Sequence, residues 1–453
     1  MLFIMLAACT KAVPGVCCTD AADCNEIGID DVRSCSDGLV CIEHECSVPP
    51  PGACTTDLDC GAAAPHCASD GACVVCVESD QCSETAPVCD DVTHDCRGCA
   101  ADEECASEVC DTANGKCALD SDVAYASPTG SDAAPCTRGE RCSITHAFAV
   151  TTPTRRIVKL ASGTYSAALT ISDKSVRVLG TGATLSTPPS GLPPFSVKSN
   201  GTLEVLGLAI RHPFATSEAA IRCEGTATAV VLDQVTIDSD EFGFLGNPCS
   251  SVTIRNSRLH TRKFGLLENG SMDIERTRID GVGIIVASGS SSSVRLTNSV
   301  VAINGGTDGP FGYSVFGAPL GTVFVSFSTV VTPTPVKCAA STAFCSGAPQ
   351  GLCLDNSIIY NPSIGAPNNT VTGTGCQANY TLMFPQQTAL PGANNKLGVD
   401  PKLLDAQNGD FHLAAGSPAI DAADPAAGNP TDFDGLARPQ GSARDIGAYE
   451  RAP

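Results

Sequence analysis

The sequence predicts an all-β chain in which a solenoid of stacked strands follows a string of small disulfide-rich repeats. Three observations carry that reading. Seven eight-residue windows between Leu203 and Ile359 repeat apolar residues at positions one, three and eight. Cysteines recur every 22 to 23 residues from Cys54 to Cys117. Charge divides the chain as well: the 453 residues carry a net charge of -22, with 24 acidic and 4 basic side chains in residues 1–122 against 25 and 23 in residues 123–453.

That balance excludes nucleic acid as a partner, because useful affinity for phosphate backbones runs on Lys and Arg. Cysteine usage sets the compartment. Eighteen of 27 cysteines lie between Cys17 and Cys117, a density that reads as a disulfide scaffold in an exported protein. Zinc is disfavoured, since His44, His66 and His94 do not recur at finger spacing. No stretch offers the ~20 apolar residues of a membrane span.

Residues 1–9 are apolar and end in Leu6-Ala7-Ala8-Cys9. This tetrapeptide resembles the bacterial lipobox, which implies cleavage before Cys9, a lipid on its sulfur, and a membrane association made through that lipid only. Removing Cys9 leaves 26 cysteines, an even number that can pair completely. The expected location is an outer membrane or cell surface, or the extracellular space.

Residues 17–117 form the arm. Cys54, Cys60, Cys67 and Cys73 open a first clear unit, and two further units of four cysteines follow. Twenty-two residues cannot bury a core, so two disulfides per unit must replace it. Thr56-Asp57-Leu58-Asp59-Cys60 and Val88-Cys89-Asp90 resemble the cysteine-rich repeats of myxobacterial surface proteins, a resemblance that implies no activity. Acidic residues recur before the second cysteine of each unit, at Asp57 and Asp59, Glu78 and Asp80, and Asp102 to Glu104. They either ligate calcium or form a solvated, self-repelling face that keeps the stalk extended.

Residues 123–395 are read as the solenoid. Its windows start at Leu203, Val230, Val252, Met272, Val294, Val323 and Leu352, and units of this length, one strand plus turns, describe stacked coils. Stacking puts Asn256, Asn298 and Asn356 at position five, where an asparagine ladder would satisfy the turn. Position four reads Asp233, Arg255, Glu275, an alternating ion-pair column. Position seven stacks Arg258 on Arg278, with His260, Arg262 and Lys263 close by. Arg258, Arg278, Arg262 and Lys263 are therefore either a solvated pair and its neighbours, a docking place for the acidic arm, or a site for an acidic glycan.

Tyr125-Ala-Ser-Pro-Thr-Gly130-Ser-Asp132-Ala-Ala-Pro-Cys136, Cys142-Ser-Ile-Thr-His146-Ala and Arg156-Ile-Val-Lys-Leu-Ala-Ser-Gly163-Thr-Tyr165 resemble the opening of a bacterial family of right-handed parallel β-helix proteins, pectin-lyase-like in fold. The resemblance implies a capping helix and a Cys136–Cys142 pair. Cys223 and Cys249 are candidates to clip adjacent coils, and Cys338, Cys345, Cys353 and Cys376 for two more bridges. In residues 396–453, Asp432-Phe-Asp434-Gly435-Leu-Ala-Arg438-Pro439 and Asp445-Ile-Gly447-Ala-Tyr-Glu450 resemble the choice-of-anchor Q segment that closes surface β-helix proteins. A solenoid end exposes strand edges and needs such a cap. Asp432, Asp434, Asp445 and Glu450 are candidate calcium ligands, with Asp-Gly turns and an Arg438–carboxylate bridge as the alternative.

The expected function is non-catalytic: adhesion or carbohydrate binding by a β-helix on an acidic stalk, with a glycan or cell surface as partner. The alternative is a polysaccharide lyase or glycoside hydrolase acting on acidic glycans. The β-helix region lacks the Gly-His-Gly and Asp-Asp strings of polygalacturonase-like hydrolases. Asp233, Asp238, Asp240 and Glu241 beside Arg255 and Arg258 come nearest to a calcium-dependent lyase. Segments 304–322 and 332–351 are the expected groove walls.

Overall fold

The computed structural model describes residues 40–42, 45–47, 53–213, 218–281, 285–287, 292–303, 316–317, 321–333, 335–339, 351–361 and 369–452. Cys9, and almost all of residues 17–52, lie outside them. The chain divides into two units, residues 1–120 and 121–453.

In the arm, each unit closes the same two bridges, first cysteine to third and second to fourth. They are Cys54–Cys67 with Cys60–Cys73, Cys76–Cys89 with Cys82–Cys96, and Cys99–Cys110 with Cys105–Cys117. A short 3-10 turn and a two-strand ribbon complete each unit, as Asp57–Asp59 with His66–Cys67 and Cys73–Val74 show. Among the repeated carboxylates, Asp57, Asp59, Asp102 and Glu104 each have a local task. Asp59 accepts from the backbone N–H groups of Thr55 and Thr56, Gln81 from Val77 and Glu78, and Glu104 from Ala100 and Ala101. Two positions earlier in the turn, Asp57, Ser79 and Asp102 accept from the amides of Cys67, Cys89 and Cys110. Glutamine and serine substitute for the acids in the middle unit, so these sites need an acceptor rather than a charge. Asp57, Asp59, Asp102 and Glu104 thus serve as backbone acceptors within their own units.

The second unit opens with the strand Val123–Ser131 and a six-residue helix, Ile144–Ala149, capped by Ser143, whose Oγ accepts from the His146 amide. Three parallel sheets then wind around one core. The first contains Val123–Ser131, Ile157–Leu160, Ser175–Leu179, Thr202–Leu206, the ends of Ala219–Asp233 and Thr236–Arg255, then Gly270–Glu275, Ser292–Thr297, Thr322–Ser326, Gly351–Asp355 and Cys376–Asn379. The second runs from Gly163–Ser166 to Leu382–Phe384, with Lys396–Leu397 added at its end. The third begins at Leu169–Ser172 and includes Phe195–Lys198 and Ile285–Ala287. Positions one and three of every sequence window point inward from the first sheet, position eight from the second, and all are buried. Alternation sets this: inward Val, Leu and Ile stack on their own kind from coil to coil.

Residues 401–452 do not run across the solenoid's end, as a cap would, but along its side. Outward positions of the second sheet change character midway. They are Arg258 and His260, then Arg278 and Asp280, but Val300 and Ala302, Thr329 and Val331, Ile358 and Tyr360, and Leu382 and Phe384 in the following coils. Leu413, Ala419, Ala423 and Ile446 pack on Ile358 and Leu382. Phe411, Ala448 and Tyr449 pack on Val300 and Ala302. An apolar outer face demands a cover, and this segment supplies it.

Candidate functional site

The turn between the first and second sheets repeats in every coil and organises the surface beside it. Its central residue takes positive φ at Gln234, Asn256, Arg276, Asn298, Phe327, Asn356 and Tyr380. The next residue carries a hydroxyl in six successive coils: Ser257, Thr277, Ser299, Ser328, Ser357 and Thr381. Each donates to the carbonyl two residues before it. The Oγ atoms of Ser257, Thr277, Ser299, Ser328 and Ser357 also accept the amide of the coil before. The ladder expected of the asparagines is thus built by hydroxyls. The three asparagines are not on neighbouring coils, and their side chains bond elsewhere. Asn256 donates to Asp233, Asn298 exchanges hydrogen bonds with Asn429, and Asn356 accepts from the Asp424 amide at 2.6 Å.

Opposite charges meet across coils. Arg255 reaches Asp233 at 2.8 Å, Arg177 reaches Glu204 at 3.3 Å and Arg295 reaches Asp273 at 3.7 Å. No ion pair joins Arg255 to Glu275 among the described residues, so the expected column stops after its first rung. Arg258 and Arg278 do stack in register. Their repulsion is met by Asp280, 6% exposed, which takes Arg278 at 2.9 Å and Arg258 at 3.3 Å. Arg278 also donates to the Gly409 carbonyl and lies over the Phe411 ring. Arg262 and Lys263 both pair with Glu241. Arg258, Arg278, Arg262 and Lys263 therefore each have an acidic partner inside the solenoid.

Of the cysteines singled out, Cys136 bonds to Cys142 in the opening loop, and Cys223 to Cys249 across adjacent coils. Cys353 and Cys376 are also disulfide-bonded. The four candidate calcium ligands do not gather as a ligand set among the described residues. Asp432 accepts from the amides of Leu436 and Glu450, Asp445 from those of Asp421 and Arg451, and Glu450 from Gln440 and Asp445. Glu450 meets Arg438 at 2.7 Å with both side chains fully buried. Burial pushes the Asp445 carboxyl up to about 6. Asp434 faces His412 instead, at 2.8 Å. These residues tie down the C-terminal segment around Arg438, as the carboxylate-bridge alternative has it.

The signal that the sequence did not reveal is a groove of about 790 Å³ beside the first sheet. Its floor is the ends of five consecutive strands, with Glu275, Thr297, Ser326, Asp355 and Asn379 in one row and Asp273 with Arg295 in the next. Coil spacing makes this run about 19 Å long. Its wall is residues 424–430 of the C-terminal segment, held by the hydrogen bonds of Asn298 and Asn356. Segments 304–322 and 332–351, expected as walls, lie largely outside the described residues. Asn379 donates to Asp355 at 2.9 Å. The Glu275 carboxylate has no hydrogen bond or ion pair among the described residues, and Tyr380 lines the far end. No three carboxylates here bring ligand atoms together. The arrangement offers a polar track of acceptors and donors along the solenoid axis.

No helix among the described residues is long and apolar enough to cross a membrane. No family model matches the chain, and no curated protein matches it. Among solved structures, the crystal structure of pectate lyase Pel9A is similar at a TM-score of 0.48 and 16% identity, over 73% of this chain and 96% of that one.

Proposed function

We propose that this is an exported protein whose solenoid holds an extended glycan, uncharged or amine-bearing, in the groove beside the first sheet. The groove itself carries the reading. Carboxylates, hydroxyls and amides project from successive coils at a spacing close to the length of one pyranose ring, so a sugar chain lying along the axis meets a fresh set of partners at each coil. Four carboxylates, Asp273, Glu275, Asp355 and Asp424, stand against the single guanidinium of Arg295. That excess disfavours an acidic polymer. Tyr380 offers an aromatic body with a polar tip. Eight disulfides between described cysteines support export. A lipid on Cys9 would hold the protein at a membrane surface, with the acidic arm as stalk and adhesion as the outcome.

Calorimetric titration of the whole protein with neutral, amine-bearing and uronate oligosaccharides tests this. Binding of the first two, lost in Tyr380→Ala and weakened in Asp355→Ala, is the expected result. Binding confined to uronates with calcium, accompanied by unsaturated products, would replace it with the lyase alternative.

A further inference from the structure

A second pocket lies on the opposite edge of the second sheet, where the chain turns into the third. It has a volume of about 370 Å³. Arg211, Asp238 and His260 stand in register on three successive coils, and Arg262 and Asp240 flank them. Inside this rim runs a column of inward residues, His212, Ser239, Thr261 and Gly281. His212 shares a hydrogen bond with Thr187, and Ser239 donates to the Phe242 carbonyl at 2.8 Å. Thr261 differs. It is 3% exposed, it lines the pocket, and its Oγ1 is buried with no hydrogen-bond partner. Gly281, above it, has no side chain to offer. A buried hydroxyl left unmatched costs stability, and such a cost in a pocket wall points to a group the pocket receives.

We infer that this pocket binds a single uncharged sugar ring, free or at the end of a chain. Two guanidiniums, Arg211 and Arg262, balance two carboxylates, Asp238 and Asp240, so the lining selects neither an anion nor a cation. The existing pairs are long, 3.8 Å for Arg211 with Asp238 and 3.5 Å for Arg262 with Glu241. Donors and acceptors therefore remain for vicinal hydroxyls, which need both. The volume suits a ligand of that size. A ring hydroxyl reaching Thr261 gives its Oγ1 the partner it lacks in the protein. This site is separate from the groove and stands without it.

The test uses the full chain, with glucose, galactose, mannose, glucuronate and glucosamine as free probes and neutral oligosaccharides ending in the same hexoses, read by saturation-transfer NMR and thermal shift. A neutral hexose should bind in preference to the charged sugars. Free and chain-terminal hexoses distinguish the two sources, and either supports the site. Thr261→Val should raise the melting temperature of the unliganded protein and weaken binding tenfold or more. Tyr380→Ala, in the groove, should leave the binding of free hexoses unchanged. The inference is overturned if no neutral hexose binds, if Thr261→Val lowers the melting temperature, or if binding survives that change and disappears only in Tyr380→Ala. In the last case the groove reading stands alone.

Discussion

The arm and the solenoid solve the same problem with different materials. The three described arm units bury little beyond their cysteines: Cys54 and Cys76 are about fully buried while Leu58 and Val92 are 95% and 88% exposed. Two bridges per unit do the ordering, and backbone amides left over by such short loops are taken by Asp59, Gln81 and Glu104. The solenoid inverts this. Its inward positions, mostly Val, Leu and Ile, recur from Val123 to Met383 among the described residues, and its bridges are accessories at the opening loop, between two coils, and at Cys353 and Cys376. The comparison teaches that a local module repeats its chemistry, whereas a stacked module repeats its geometry and can change surface chemistry freely along its length.

Reduction should separate the two most sharply. Each arm bridge closes a loop of 11 to 14 residues, worth about 3 kcal/mol by loop entropy. Mild reductant should unfold residues 54–117 and leave the solenoid's strand signal and protease resistance intact. Simultaneous loss of both would break the contrast. Next in size is Arg438→Met, which strands the buried Glu450 and should cost about 3–5 kcal/mol in denaturant unfolding, first visible as proteolysis of residues 401–452. Thr277→Val removes one rung of the hydroxyl ladder, one bond given and one received, and should cost about 1–3 kcal/mol without altering the arm.

A smaller effect comes from pH. His412 sits between Asp410 at 2.6 Å and Asp434 at 2.8 Å and against the Tyr449 ring. Burial pulls its pKa down, but hydrogen bonds and charge from Asp434 and Asp410 outweigh that and hold it above the ordinary value. A raised folded pKa means the contribution is complete below the unfolded pKa near 6.5 and is lost as pH rises through the folded one. The ring is 42% exposed, so the loss should stay below about 1 kcal/mol. His412→Gln should flatten melting temperature against pH across that window. Smallest of all, Asp59→Asn should leave the arm's melting unchanged, because Gln81 already does that work without charge, while Asp59→Ala should lower it.

The coil register was legible because inward positions cannot vary: Val230, Leu232 and Ile237 announce the first and second sheets of their coil, and six other windows repeat them. The third sheet was not, since the chain turns its corner at changing lengths, with Phe242, Gly243 and Phe244 spread over an irregular register. The basic column was read correctly as a stack, but its neutralising acid was missed: Asp280 lies two residues along the same strand as Arg278, close enough to reach both arginines. The replacement of Arg278 and Asp280 by Val300 and Ala302 on the outer face was a usable signal for where the C-terminal segment docks. The groove was beyond reach. Its carboxylates come from separate coils and from residues 424–430, and only the folded path brings Asp424 to Asn356.

Hydrogen–deuterium exchange of the whole chain, with and without a saturating neutral or amine-bearing oligosaccharide, tests the groove most directly. New protection should appear at residues 273–275, 295–297, 326–327, 355–356, 379–380 and 424–430, separately from that at the second pocket around residues 211–213, 238–240 and 260–262, with the arm unchanged. Protection centred on the arm, or on Arg258, Arg262 and Lys263 with a uronate oligomer alone, would contradict it.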